Sequence, residues 1–228
     1  MDGAASGRLS LTSVSRTPDY VAAGLSVMSE QENPDPSPFT QQAMQMAERF
    51  LDARQIFLWG QVDDQSARHV IERLLYLDAK ERGKEITLII NSPGGMNTAG
   101  FAIYDVMQGI ESPVSTLCFG LAASFGALLL LSGQRGRRFA APHARIMLHQ
   151  PWVQGRIEGP ATDLRIHANE IMKQRKLIEQ IIADRCSRDL SSVEKETDRD
   201  RWFTADEAVD FGLIDGVRVE LPSPVLMR

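Results

Sequence analysis

Cysteine is nearly missing from this chain of 228 residues: there are two, Cys118 and Cys186. They lie far apart and fit neither a CxxC nor a metal-ligand spacing. That excludes a disulfide framework or zinc module and points to a reducing compartment. Basic character is missing as well. The formal net charge is −5, and lysine and arginine form no stripe, so neither nucleic acid nor an anionic membrane is expected as a partner. No apolar run is long enough to span a bilayer, which takes about 20 residues; the most apolar stretch, residues 120–133, is short and rich in small side chains. The opening residues 1–7 lack a basic segment followed by an apolar one, so no secretory signal is expected. These absences together lead to the expectation of a soluble, cytoplasmic protein.

What is present suits one globular domain: 43% of the residues are hydrophobic, enough for a full core at this length. Residues 1–38 differ from the rest. Ser, Thr, Gly, Glu and Pro dominate there, with Pro34, Pro36 and Pro38 close together. Proline at that density suits neither a helix interior nor a central strand. A flexible extension or processed leader is expected over 1–38, a folded domain over 39–220 and a tail over 221–228. Residues 20–28 are mildly apolar, as a docking segment would be.

Ala43, Met46, Ala47, Phe50 and Leu51 recur at helical spacing, with Thr40 available as N-cap. Residues 56–59 read as a buried strand ended by Gly60. Asp64 caps a helix that carries Val70, Ile71, Leu74, Leu75 and Leu77 on one face, and Gly83 breaks it. Residues 86–90 form a second apolar strand, followed by the turn Asn91-Ser92-Pro93-Gly94-Gly95 and a helix with Phe101, Ile103, Val106 and Met107. A third strand covers 114–119, and 120–124 lead into a short apolar helix closed by Gly133. Residues 139–140 and 144–149 read as extended, 152–160 as irregular, and 161–183 as a long helix. Thr204 and Glu207 form a capping box for a last helix, ended by Gly212, before a strand over 213–219. Strands that are continuous apolar runs and alternate with helices predict an α/β layered domain with a largely parallel sheet. There is no internal repeat.

Several residues can carry chemistry. Ser124 follows a strand and opens an apolar helix among Gly120, Ala122, Ala123 and Gly126. A serine there ordinarily caps the helix. The small neighbours also let a substrate backbone approach its hydroxyl, and the helix N-terminus offers unpaired N–H groups to an oxyanion. The α/β-hydrolase elbow does not apply, because the Gly-x-Ser-x-Gly pattern is absent. The 91–95 turn reads either as a plain glycine loop or as one that holds out an N–H donor. His149 ends an apolar strand, where a hydrogen-bonded core histidine is the ordinary reading; His69, His143 and His167 have no better claim. Asp198 and Asp200 sit in Thr197-Asp198-Arg199-Asp200-Arg201, ordinarily a solvated charge run. Composition and spacing do not join these groups.

At these residues the sequence resembles the proteolytic subunit of the Clp proteases. The matching blocks are Ile90-Asn91-Ser92-Pro93-Gly94-Gly95, Ala102-Ile103-Tyr104-Asp105, Gly120-Leu121-Ala122-Ala123-Ser124-Phe125-Gly126, Arg145-Ile146-Met147-Leu148-His149-Gln150-Pro151, Ala161-Thr162-Asp163 with Ile166-His167-Ala168, and Thr197-Asp198-Arg199-Asp200-Arg201. Ala205, Glu207 and Ala208, then Gly212-Leu213-Ile214-Asp215, complete a series in family order from about residue 47 to 217. The resemblance implies a serine endopeptidase on a crotonase-like α/β spiral of βα units with a protruding handle helix. It implies Ser124 as nucleophile, His149 as base and Asp200, the aspartate directly after Arg199, as the acid. The oxyanion donors would be the backbone N–H groups of Gly95 and Phe125.

The resemblance also implies two stacked heptameric rings around a chamber, homomeric or mixed with a paralogue, and a hexameric AAA+ Clp ATPase that feeds in unfolded protein. ATP is then used by that partner, with no cofactor or metal bound by this chain. Three departures stand out: Leu121 where the family usually has Gln, Phe125 where it usually has Met, and a longer 152–160 stretch. The axial-loop pattern of the family is not recognisable before Pro38. Two other readings share these residues: a regulatory subunit that cuts poorly outside a mixed ring, and a crotonase-type acyl-CoA enzyme. Phe125 is expected to reshape the substrate pocket. The apolar residues Ile171, Leu177, Ile178, Ile181 and Ile182 are expected to form an interface, and Asp198 and Arg199 to form ion pairs between rings.

Overall fold

The computed structural model describes residues 37–151 and 158–218. The expectations for the leader, for the C-terminal tail and for most of the 152–160 stretch fall outside them.

The first helix, α1, spans Pro38–Asp52. Its N-cap is Ser37 rather than Thr40: Ser37 Oγ accepts from the Thr40 N–H at 3.2 Å, and Pro38 at the first helical position has the φ a helix needs and no N–H to lose. Strand β1 follows at Gln55–Trp59 and helix α2 at Asp64–Lys80. The α2 cap is Asp63, one residue earlier than expected, in a reciprocal box with Ser66. Buried Arg54 bridges these elements. Its guanidinium donates to the carbonyls of Leu77, Lys84 and Glu85, each at 2.9 Å, and so caps the end of α2.

Strand β2 (Ile86–Ser92), helix α3 (Asn97–Gly109), strand β3 (Val114–Ala123) and helix α4 (Phe125–Leu131) come next. Strands β4 (Arg138–Ala140) and β5 (Arg145–Leu148) precede the long helix α5 (Ala161–Cys186). Two elements that the sequence reading missed follow, α6 (Leu190–Glu196) and β6 (Arg201–Phe203). The chain then forms α7 (Ala205–Phe211), with the expected Thr204–Glu207 box and a left-handed Gly212 at its end. The last strand, β7, is only Gly216–Val217, much shorter than expected.

The sheet runs β1-β2-β3-β4-β7, all parallel. Strand β5 also pairs with β3 in parallel, and β6 joins β5 antiparallel. On the edge away from β2, strand β3 serves two neighbours because it bends. Its register against β2 shifts between Ile90↔Cys118 and Ser92↔Ala122. At the bend Gly120 has φ 69°, and a Cβ there would stand 2.9 Å from Asn91 Oδ1, which already accepts from the Leu121 N–H at 3.1 Å. Before the bend β3 pairs with β4 through Thr116, Leu117 and Cys118; after it, with β5 through Leu121, Ala122 and Ala123. The bend thus carries the end of β3, and Ser124 beyond it, alongside β5. Helix α4 is apolar all round and wholly buried, as such a helix must be. The fold is the mixed α/β spiral expected, and α5 is its handle: residues 161–170 are all exposed.

The handle corrects one expectation. Ile178 and Ile182 are buried in the core and Ile181 packs against it. The apolar side chains that α5 exposes are Leu164, Ile166, Met172 and Leu177.

Candidate active site

Ser124 occupies the N-cap position of α4 but does not cap it: its side chain makes no hydrogen bond to the helix. The ordinary reading of this serine therefore fails. Its backbone has φ 54° and ψ −124°, a region that costs a non-glycine residue about 1–3 kcal/mol. The strain is held in place on both sides. The Ser124 N–H donates to the Met147 carbonyl of β5 at 2.9 Å, and its own carbonyl accepts from Ala127 and Leu128 at 3.1 Å. The strand–turn–helix thus presents a hydroxyl that is free of backbone duty.

The 91–95 turn packs directly on this element. Gly94 has φ 87°, and a Cβ there would lie 2.6 Å from Ser124 Cβ and 2.9 Å from Phe125 N. Only glycine lets the two turns touch. Gly95 is bridged to Val62: Val62 donates to the Gly94 carbonyl and accepts from the Met96 N–H. The N–H groups of Gly95 and Phe125 donate to no acceptor among the described residues. The Phe125 ring turns away into the α3–α4 contact. It is 2% exposed, lies over Gly100 and meets Phe101 edge-on at 4.9 Å. Its bulk is thus taken up mainly by the core, although the residue still borders the cleft described next.

His149 follows β5 and shares a cleft with Ser124; Leu128, Leu148, Ile178 and Ile182 supply apolar lining, and Asn97 a polar group. Of the four histidines only His149 is partly buried; His69, His143 and His167 are exposed. No hydrogen bond joins Ser124 to His149. Behind His149, Nδ1 stands 3.5 Å from Asp200 Oδ1, longer than a well-formed N–H···O bond. The antiparallel register Ile146↔Phe203, Met147↔Trp202, Leu148↔Arg201, extended one step, puts His149 opposite Asp200. Asp198 is turned elsewhere: its carboxylate lies 3.8 Å from both Arg175 and Arg199.

Sequence reasoning missed the residues around this pair. Gln150 donates through Nε2 to the Asp198 carbonyl at 2.8 Å and accepts at Oε1 from Arg175 Nη1 at 2.8 Å. Asn97 donates to Gln174 of α5 at 2.9 Å. These contacts span 25 to 77 residues of chain, and no local pattern announces them. Among the described residues no cluster of His, Cys, Asp and Glu could hold a metal ion, and no helix is long and apolar enough to cross a membrane.

An uncapped hydroxyl on a strained turn, two undirected N–H groups beside it and an imidazole backed by a carboxylate are the parts of an acyl-transfer site. The class this defines is a hydrolase on a mixed α/β spiral. A family model for Clp protease matches residues 39–220, and the chain belongs to the Clp protease family. Its activity is accordingly that of a peptidase, in a family whose members are oligomeric and work with Clp ATPases. The acyl-CoA reading does not fit this membership.

Proposed function

We propose that the chain is a serine endopeptidase that cleaves unfolded polypeptides, with Ser124 as nucleophile, His149 as general base and Asp200 as the acid that orients it. The observation that carries this reading is the position of Ser124: strained, uncapped, and in one cleft with a histidine that faces Asp200. Ser124 Oγ attacks the peptide carbonyl carbon while His149 takes its proton. The oxyanion that forms is met by the N–H groups of Gly95 and Phe125. The tetrahedral intermediate collapses as His149 returns the proton to the leaving amine, and water releases the acyl group by the same steps.

The reading extends to the surroundings. The chain works in the cytoplasm, in two stacked heptameric rings whose chamber admits only unfolded protein, and a hexameric AAA+ ATPase supplies it at the cost of ATP. The chain itself uses no cofactor. A fluorophosphonate probe on the purified protein tests the chemistry. Labelling at Ser124, lost in Ser124→Ala together with peptide hydrolysis, is expected. A Ser124→Ala protein that still hydrolyses peptide at the parental rate overturns the assignment.

A further inference from the structure

Glu179 of α5 is a carboxylate in the core, 3% exposed, and the catalytic reading gives it nothing to do. Its Oε1 accepts a 2.7 Å hydrogen bond from Nε of Arg175, one turn earlier on the helix. Arg175 spends its other face on the catalytic segments. Nη1 reaches Gln150 Oε1 at 2.8 Å, and Nη2 stands 3.8 Å from Asp198 Oδ1. Gln150 then ties the two segments together: its side chain donates to the Asp198 carbonyl at 2.8 Å, and its backbone N–H to the Thr197 carbonyl at 2.8 Å. Gln150 directly follows His149, and Asp198 precedes Asp200 by two.

The β5–β6 ladder ends at Leu148↔Arg201. His149 and Asp200 come just after it, with Asp200 63% exposed and 3.5 Å from the imidazole. One side of this pair is fixed by the ladder. The other side is fixed by Gln150, Arg175 and Glu179. A buried ion pair is a poor source of stability, because apolar residues of similar volume often do as well. Its value here is geometric: the guanidinium is planar and forked, so it fixes direction as well as distance, and Glu179 sets its orientation.

Resting on the serine-peptidase reading above, we propose that Arg175, oriented by Glu179, is a positioning residue that holds Gln150 and Asp198 so that His149 and Asp200 meet. It touches neither substrate nor the reacting atoms and acts only through the alignment of the acid–base pair. Misplacement by about 1 Å costs on the order of 10²-fold in rate, so the effect falls on kcat.

The test measures steady-state hydrolysis of a short fluorogenic peptide by the full-length assembled protein and by variants, with melting temperature and native mass recorded for each. Arg175→Met is expected to lower kcat about 10- to 100-fold with KM within about twofold. Glu179→Leu behaves the same way, whereas Glu179→Gln keeps an acceptor for Arg175 and stays within about threefold of the parent. Gln150→Leu, at the less buried end, lowers kcat as Arg175→Met does and carries the test if the helix variants fail to fold. Parental kcat in a folded Arg175→Met protein overturns the proposal, and so does parental kcat in Gln150→Leu. So does a loss in kcat that follows melting temperature alone and is not spared in Glu179→Gln. Ser124→Ala separates the two ideas. If it is active, the serine reading fails; if it is inactive while the Arg175 and Gln150 variants keep parental kcat, only the positioning role fails.

Discussion

His149 and Asp200 face each other one step beyond the last pair of the β5–β6 ladder. The register Leu148↔Arg201 makes them opposite neighbours, and Nδ1 stands 3.5 Å from the carboxylate. The same register places Asp198 two steps further on, where Arg175 and Arg199 hold it. The two aspartates therefore have different predicted effects. With Asp200 as the acid of the proposed triad, Asp200→Asn would leave the imidazole without the group that sets its tautomer and is expected to lower kcat by about 10⁴-fold. Asp198→Asn stays within about tenfold, since it disturbs only the positioning contacts. Peptide hydrolysis by the two variants decides the matter, and a reversed order would move the acid to Asp198.

Gly94→Ala is predicted to damage the site more than its backbone angle alone explains. The new Cβ would lie 2.6 Å from Ser124 Cβ and 2.7 Å from the Ala123 carbonyl oxygen, neither of which is a flexible tip. Gly83 is a control, because it has φ 73° with nothing within 4 Å of an added Cβ. Gly83→Ala should cost only about 1–2 kcal/mol for the left-handed backbone and keep full activity. Gly94→Ala should cost more in thermal melting and lower kcat by about 10²-fold or more. Equal behaviour of the two variants would refute close packing of the turns.

The parts of the fold legible in the sequence are those encoded by neighbouring residues. The apolar runs of β2 and β3 announce buried parallel strands, and Thr204 with Glu207 announces the start of α7. Strand β6 was not legible: Arg201, Trp202 and Phe203 are too few to show a period, and only the pairing with β5 makes them a strand. Helix α6 has one buried residue, Val193, which leaves no stripe to read. The apolar residues of α5 are visible in the sequence, but which of them meet the core is not: Ile178 and Ile182 are buried while their neighbour Leu177 is exposed. At the site, the place of Ser124 at the start of a helix was readable; its positive φ and its failure to cap the helix were not. Both come from contacts with Met147 and Gly94, distant in sequence.

Neither cysteine is predicted to react in the native protein. Burial pushes the Cys118 thiol up to about 12 and the Cys186 thiol up to about 11. Both are therefore neutral at pH 8, and thiolate is the reactive form. Iodoacetamide should leave the folded chain unmodified over hours and alkylate both sites after unfolding in guanidinium, as mass spectrometry would show. Rapid modification of the folded chain would mean that the core around α4 opens readily.

Arg138 and Asp215 form a bidentate pair at the β4–β7 edge. Asp215 accepts from Arg138 Nη2 at 2.6 Å, and from its Nε and backbone N–H at 2.9 Å each. Burial works to raise the Asp215 carboxyl, but the hydrogen bonds to Arg138 outweigh it and hold the group below its ordinary value. A depressed folded value stabilises above the unfolded value of about 3.9, and the gain is lost as pH falls through the folded value. Asp215→Asn should therefore cost about 3 kcal/mol at pH 7, because it leaves buried Arg138 without its counter-charge. The gap between parent and variant should narrow below about pH 4. Denaturation at pH 7 and pH 3 checks both the size and the sign.

The handle gives the prediction about assembly. Residues 161–170 of α5 are exposed throughout, and Leu164 and Ile166 are among the apolar side chains they leave in water. An isolated helix with such a face is a poor end state, since exposed apolar patches mark contact surfaces. Burying them against a second ring would supply about 25 cal/mol for each Å² covered. The other half of the helix is anchored by Ile178 and Ile182 in the core, so changes near its start should leave the fold intact. If the chain forms the proposed two stacked rings, Leu164→Glu combined with Ile166→Glu places charges in that contact and should reduce the native mass from two rings to one, with melting of the single ring little changed. Sedimentation velocity on parent and variant reads this directly. Two outcomes would overturn the handle as the inter-ring contact: an unchanged mass in the variant, or a parent that runs as an active monomer.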